Sequence, residues 1–269
     1  MQIQTGFAQV SGTRLYYEMA GAGQPLVFVH GFSLDTRMWD DQFEAFAQHY
    51  QVVRCDLRGF GQSATPASDP YTHLDDLKAL LQILKIDSAH IAGFSLGGGI
   101  AIDFALTYPE ATRSLITIDG TLGGYRWAKD WGGPRATAQS AGVAAAREAW
   151  LDDELFIPAN ELPPVAARLR QMVTTYSGWH WLNRDPGRWL QPPAIERLEQ
   201  IRAPALAIAG EHDAPDFHNI ADILGQRIPS CRKVVVSGAG HLANMEAPEQ
   251  VNEIVLSFLE SINLTKQAP

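Results

Sequence analysis

Six short runs of almost uninterrupted apolar residues constrain this chain more than any other feature. They are Pro25–His30 (PLVFVH), Gln51–Cys55 (QVVRC), His90–Gly93 (HIAG), Leu115–Ile118 (LITI), Ala205–Ala209 (ALAIA) and Lys233–Val236 (KVVV). Continuous rather than alternating apolarity marks a strand buried on both faces, as in a parallel sheet covered by helices. Helical spacing fills most of the intervals, clearest in Leu74–Leu84 and Gln250–Phe258. Strands alternating with helices predict an α/β fold with a doubly wound, mostly parallel sheet. Residues 6–20 alternate instead around Ser11-Gly12-Thr13 and predict a hairpin at one sheet edge.

One interval breaks the rhythm. Residues 121–193 contain no convincing strand, are interrupted by prolines, and hold six of the seven tryptophans. So long an insertion is expected to fold as a helical cap over a core formed by 1–120 and 194–269.

The bulk properties narrow the function classes. At 46% hydrophobic and 19% charged, the 269 residues suit a globular core. A formal net charge of -9 argues against a nucleic-acid partner, which wants a basic face. No stretch approaches the roughly 18–20 apolar residues of a membrane span. The N-terminus lacks the basic start and apolar stretch of a secretory signal, so a cytoplasmic location is expected. Cys55 and Cys231 are accordingly read as two buried thiols, not a disulfide. Oligomeric state leaves no signature.

Gly93-Phe94-Ser95-Leu96-Gly97 carries the chemistry. This G-x-S-x-G follows the run HIAG and opens a helical stretch, Leu96–Tyr108, so Ser95 is expected on a sharp strand-to-helix turn. There its hydroxyl projects from the sheet edge at a helix N-terminus. A serine hydroxyl needs a base. Of eight histidines only His241, in Ser237-Gly238-Ala239-Gly240-His241, sits in a loop just after the last strand, where it can reach Ser95. The orienting acid is either Asp213, after ALAIA, or Asp119, after LITI. Chain order admits both. Oxyanion donors are expected from the N–H of Leu96 and, in the loop after PLVFVH, the N–H of Phe32, whose ring is also placed at the acyl pocket. His30 is read as a brace for that loop. Glu211, His212, Asp213, Asp216 and His218 resemble metal ligands but form no metal-site motif, and no metal or cofactor is expected. In Gly178-Trp179-His180-Trp181-Leu182, an extended run would turn one indole inward, so Trp181, or failing that Trp179, is expected to touch substrate.

These segments together resemble the α/β-hydrolase superfamily over about residues 10–262. The matching stretches are HGFSLDTRMWDDQ (30–42), DLRGFGQS (56–63), GFSLGG (93–98), GEHD (210–213) and GAGHLANMEAPE (238–249). Within it the chain most resembles small esterases, 3-oxoadipate enol-lactonase-like enzymes and cofactor-free haloperoxidase-like proteins. The resemblance implies a triad of Ser95, Asp213 and His241, and it is what favours Asp213 over Asp119. A serine nucleophile speaks against haloalkane dehalogenase or epoxide hydrolase chemistry. The loop after Gly31 lacks the extra glycine and downstream asparagine of carbon–carbon bond hydrolases. Hydrolysis of an ester or lactone substrate is therefore expected. Alternatives on the same triad are perhydrolase or haloperoxidase-like activity, and a slowly turning ligand receptor.

Overall fold

The computed structural model describes residues 2–265, with side chains through residue 262. Eight strands form one sheet: β1 (Ile3–Val10), β2 (Thr13–Ala20), β3 (Pro25–Val29), β4 (Gln51–Cys55), β5 (Ala89–Phe94), β6 (Thr112–Ile118), β7 (Ala205–Gly210) and β8 (Cys231–Val236). Their spatial order is β1-β2-β4-β3-β5-β6-β7-β8. Only β2 runs against the rest; it pairs antiparallel with both β1 and β4, and every other pairing is parallel. The expected edge hairpin is present, its turn made by Ser11 and Gly12, both at positive φ.

The chain leaves β3 for β4 on one side and returns to β5 on the other. This reversal of winding opens a crevice at the carboxyl ends of β3 and β5, the usual ligand position in open α/β sheets. Helices α1 (Asp40–Phe46), α2 (His73–Ile83) and α3 (Leu96–Thr107) follow β3, β4 and β5. Helix α3 is buried from Gly97 to Leu106, which explains a composition of little but glycine, alanine and large apolar residues. Strands β3, β5 and β7 are almost wholly buried, as continuous apolarity predicts.

Strand β8 departs from that expectation. It lies at the sheet edge with one lateral face open, and Val235 remains 44% exposed despite belonging to an unbroken apolar run. Cys231 is only half-buried, whereas Cys55 is fully buried. The two thiols are free, with four strands between those that carry them.

Between β6 and β7 the described chain is helical: α4 (Gly133–Ala141), α5 (Val143–Leu151), α6 (Ile157–Asn160), α7 (Pro163–Thr175) and α8 (Trp179–Leu182). Of its six tryptophans, Trp150 and Trp181 are buried, while Trp131 and Trp189 are exposed. Helix α9 (Pro215–Arg227) joins β7 to β8, and α10 (Ala243–Glu246) and α11 (Pro248–Thr265) close the fold. Among the described residues no helix is long and apolar enough to cross a membrane.

Candidate active site

Ser95 stands between β5 and α3 at φ 48° and ψ -114°, a conformation that side-chain-bearing residues rarely adopt. The turn is pinned on every side. The Ser95 N–H donates to Ile118 O at 3.0 Å, and its carbonyl accepts from the N–H of Gly98 and of Thr121, both at 2.9 Å. Close approach explains the flanking glycines: a Cβ on Gly93 would lie 2.0 Å from Gly97 O, and one on Gly97 would lie 2.1 Å from Val29 O. The serine is only 8% exposed, at the base of a cavity.

His241 reaches Ser95 from the loop after β8, and three side chains across 146 residues meet there. Its Nε2 lies 3.2 Å from Ser95 Oγ, and its Nδ1 lies 2.9 Å from Asp213 Oδ2. An Nδ1–H held by a carboxylate leaves Nε2 free to accept the hydroxyl proton. The imidazole sits against the rings of Phe217 and Phe94, with centroids at 4.3 and 5.0 Å. Asp213 is itself fixed, its Oδ1 accepting the Ala214 N–H at 2.7 Å.

The rival acid lies close by but has other bonds. Asp119 is fully buried at φ 46°, and its Oδ1 accepts the Gly210 N–H at 2.8 Å. Its Oδ2 is enclosed without a donor. One ligating atom each from Asp119, Asp213 and His241 lies within 4.8 Å of the others. Burial, then the negative charge of Asp213, pushes the Asp119 carboxyl well above the usual carboxylate range. That direction favours the protonated form of Asp119 beside Asp213, and no hydrogen bond joins it to His241.

Two glutamates hold the histidine loop: Glu246, which the sequence did not single out, and Glu211, read there only as a ligand-like residue. The Glu246 carboxylate accepts from the N–H of Gly240 and of Leu242, the residues on either side of His241. Glu211 accepts from Gly238 N–H and Ser237 Oγ, both at 2.8 Å. An acid five residues past a loop histidine was the available signal for Glu246. Asp216, also among the ligand-like residues, accepts from Tyr125 Oη and from the amides of Ala128 and Lys129.

Phe32 and Leu96 both border the cavity beside Ser95, and neither backbone N–H donates a hydrogen bond among the described residues. The loop bearing Phe32 is tight against the nucleophile, since a Cβ on Gly31 would lie 3.3 Å from Ser95 Cβ. His30 braces that loop: Nδ1–H donates to Gly31 O at 2.7 Å, and Nε2 accepts the Leu57 N–H at 2.8 Å. Burial drives its pKa down to about 4, so it stays neutral.

The cavity above Ser95 measures about 720 Å³, within the range of small-molecule sites. Its walls are mostly apolar, including Phe32, Trp127, Trp150, Leu155 and Trp181. Trp179 lies outside, in a separate surface cleft with Pro66 and Arg188. The run 179–182 is a helical turn, not extended chain, and it is this turn that separates the indoles, since positions two apart in an extended run share one face. Trp181 reaches the cavity because Gly178, at φ 74°, turns the chain into that helical turn.

The model of the alpha/beta hydrolase fold family matches residues 24–248. A protein of Azorhizobium caulinodans named as a carbamate hydrolase is 27% identical, over 96% of this chain and 99% of its own. The 3-oxoadipate enol-lactonase 1 of Acinetobacter baylyi is 30% identical, over 88% of this chain and 89% of its own. The crystal structure of the enol-lactonase from Burkholderia xenovorans LB400 superposes with a TM-score of 0.80 at 25% identity, covering 95% of this chain and all of that one. The sheet order, the strained serine turn and the family match agree, and this chain belongs to the alpha/beta hydrolase fold family.

Proposed function

We propose that this chain hydrolyses a carboxylic ester or lactone through an acyl-enzyme. Ser95 acts as nucleophile, His241 as general base and then acid, and Asp213 as the group that orients His241. The observation carrying this reading is that the two nitrogens of one buried imidazole divide between Ser95 Oγ, at 3.2 Å, and Asp213, at 2.9 Å. The names of the lactonase and carbamate hydrolase relatives point to the same type of bond cleavage.

In this mechanism Ser95 Oγ attacks the carbonyl carbon while its proton passes to His241 Nε2. The carbonyl oxygen becomes an oxyanion, for which the N–H groups of Phe32 and Leu96 are the donors. Collapse expels the alcohol oxygen, protonated from Nε2. A water then gives its proton to Nε2, attacks the acyl carbon and frees Ser95. Asp213 holds Nδ1–H and stabilises the imidazolium throughout.

The test uses short aryl esters, lactones and an aryl carbamate, with the intact chain and Ser95→Ala. Steady multiple turnovers on esters or lactones are expected, with Ser95→Ala slower by at least about 10⁴. Fluorophosphonate should label the intact chain and not the variant. A single slow turnover would favour a ligand receptor, peracid from acetate and peroxide outpacing hydrolysis would favour a perhydrolase, and faster carbamate cleavage would move the substrate class.

A further inference from the structure

One face of α3 carries three residues of the cavity wall: Ser95 at its start, then Gly99, then Asp103. Spacings of four residues keep them in line, and eight residues advance about 12 Å along a helix. The cavity thus runs along α3, from the serine to a carboxyl group. Gly99 lets Thr121 close in on the helix, since a Cβ there would lie 2.4 Å from Thr121 Oγ1.

Asp103 is out of character with its surroundings. It is 3% exposed, and the other buried residues of α3 are Gly, Ala, Ile, Phe and Leu. Its Oδ1 is enclosed without a hydrogen-bond partner. A buried carboxyl without full compensation is costly. The Leu190 backbone and the charge of Arg197 offset part of that cost, yet burial still raises the pKa to about 6. Arg197 makes no ion pair with it among the described residues and donates instead to Gln200 Oε1. Of the walls near this end, Leu122, Leu190, Pro193 and Ala194 are apolar, and Gln191, whose side-chain amide could donate, makes no hydrogen bond to Asp103 among the described residues.

We propose that this end of the cavity is a donor-recognising subsite, in which Asp103 accepts a hydrogen bond from a hydroxyl, amide N–H or ammonium on the substrate, at the end away from the scissile carbonyl. The inference rests on the hydrolytic reading above and narrows it. The substrate is an ester or lactone with an apolar middle and a donor tail. A carboxylate tail is disfavoured there by the charge of Asp103.

The experiment compares matched aryl esters whose acyl chains end in methyl, hydroxyl, ammonium or carboxylate, over a series of lengths. A parallel series carries the same groups on the alcohol side. At one length in one series, kcat/KM for the hydroxyl or ammonium tail should exceed the methyl tail by about ten- to a hundredfold. The hydroxyl and ammonium arms separate a neutral donor from a cation. In Asp103→Leu that ratio should fall to about one, while the melting temperature holds or rises because a buried unpaired carboxyl is gone. Binding of the same esters to Ser95→Ala, followed by calorimetry, reads the subsite without turnover. Tail preference in binding with no turnover by the intact chain would sink the hydrolytic reading and keep the subsite. Equal binding of methyl and donor tails at every length would overturn the subsite whatever the turnover. So would a preference for the carboxylate tail, which would move recognition to the exposed Arg135 at the cavity wall.

Discussion

The indole Nε1–H of Trp150 donates to the hydroxyl of Ser33 at 2.7 Å, joining positions 117 residues apart. Trp150 belongs to α5, in the helical segment above the cavity. Ser33 is the residue after Phe32, whose amide is the proposed oxyanion donor, and it sits at φ 62°. One buried hydrogen bond therefore ties the roof of the site to the loop that must receive the developing charge. The Phe32 ring reinforces the tie, meeting Trp150, Tyr176 and Trp181 at centroid distances of 6.1, 5.7 and 6.2 Å.

Trp150→Phe keeps an aromatic ring and removes only the donor end. Loss of the bond should cost about 1 kcal/mol of stability. A loosened oxyanion loop should lower kcat by about tenfold with little change in KM, because placement of a charge-stabilising donor matters most in the transition state. Steady-state kinetics beside a urea unfolding curve checks both. A raised KM with kcat unchanged would mean that Trp150 serves substrate binding alone.

The two carboxylates beside His241 should separate cleanly on substitution. Asp213→Asn removes the charge that holds Nδ1–H and should lower kcat by about 10⁴. Asp119→Asn should cost less than about tenfold, because the amide reproduces a neutral acid: its oxygen can still accept from Gly210 and its NH₂ can donate. If Asp119→Asn proves the more damaging of the two, the orienting acid follows β6.

Asp119 also makes a stability prediction whose sign follows from its raised pKa. Above the unfolded carboxylate pKa of about 4, the unfolded chain has lost this proton while the native chain retains it. The native state then binds more protons, so this group's contribution to stability falls as pH rises from about 4 toward its elevated folded pKa. Asp119→Asn removes that dependence. The melting temperature of the variant relative to the intact chain should therefore climb between pH 5 and pH 8. A difference that stays flat or declines would mean that Asp119 is ionised in the native state.

Glu246 is expected to act through His241 without touching substrate. Its two carboxylate oxygens hold the amides on either side of the imidazole, and Glu246→Gln leaves only one acceptor oxygen for the two. Each charged hydrogen bond contributes about 1.5–3 kcal/mol, so kcat should fall by about ten- to a hundredfold. KM should hold, and Glu246→Asp should restore little, being one methylene short. An unchanged kcat in Glu246→Gln would show that the loop keeps its shape without the second bond.

What was legible in the sequence was whatever depends on local pattern. Ser95 and His241 were readable because strand, glycine and turn punctuate the chain around them. The buried strands β3, β5 and β7 were readable from unbroken apolarity. Strand β8 shows the limit, for the same pattern in KVVV carries no mark of being last in the sheet, and Val235 is half-exposed. Asp103 and the bond from Trp150 to Ser33 depend on which surfaces the winding brings together. No local period encodes that. Asp213 and Asp119 were indistinguishable by chain order, and what separates them is that only Asp213 presents an oxygen to Nδ1.

Trp181 and Trp179 offer the sharpest test of the helical roof, because two residues of one short turn face different surroundings. Trp181 is 4% exposed and walls the cavity, packed edge-on to Tyr176 at 5.0 Å. Trp179 is half-buried and borders the outer cleft beside Pro66. Truncating Trp181 to alanine would open a void costing about 3–5 kcal/mol, which would confuse packing with specificity. Trp181→Leu keeps the site apolar and enlarges the cavity more gently. It should move the best acyl chain toward greater length, raising kcat/KM for long relative to short chains by about tenfold, since each added methylene in an apolar pocket contributes about 1 kcal/mol. Trp179→Ala should leave that ratio within about twofold, surface substitutions away from a site being worth little. The measurement is kcat/KM along a chain-length series, read beside the melting temperature of each variant. Uniform loss across the series in Trp181→Leu, tracking a lowered melting temperature, would reduce the ring to a packing element. A changed ratio in Trp179→Ala would mean that substrate reaches the outer cleft as well.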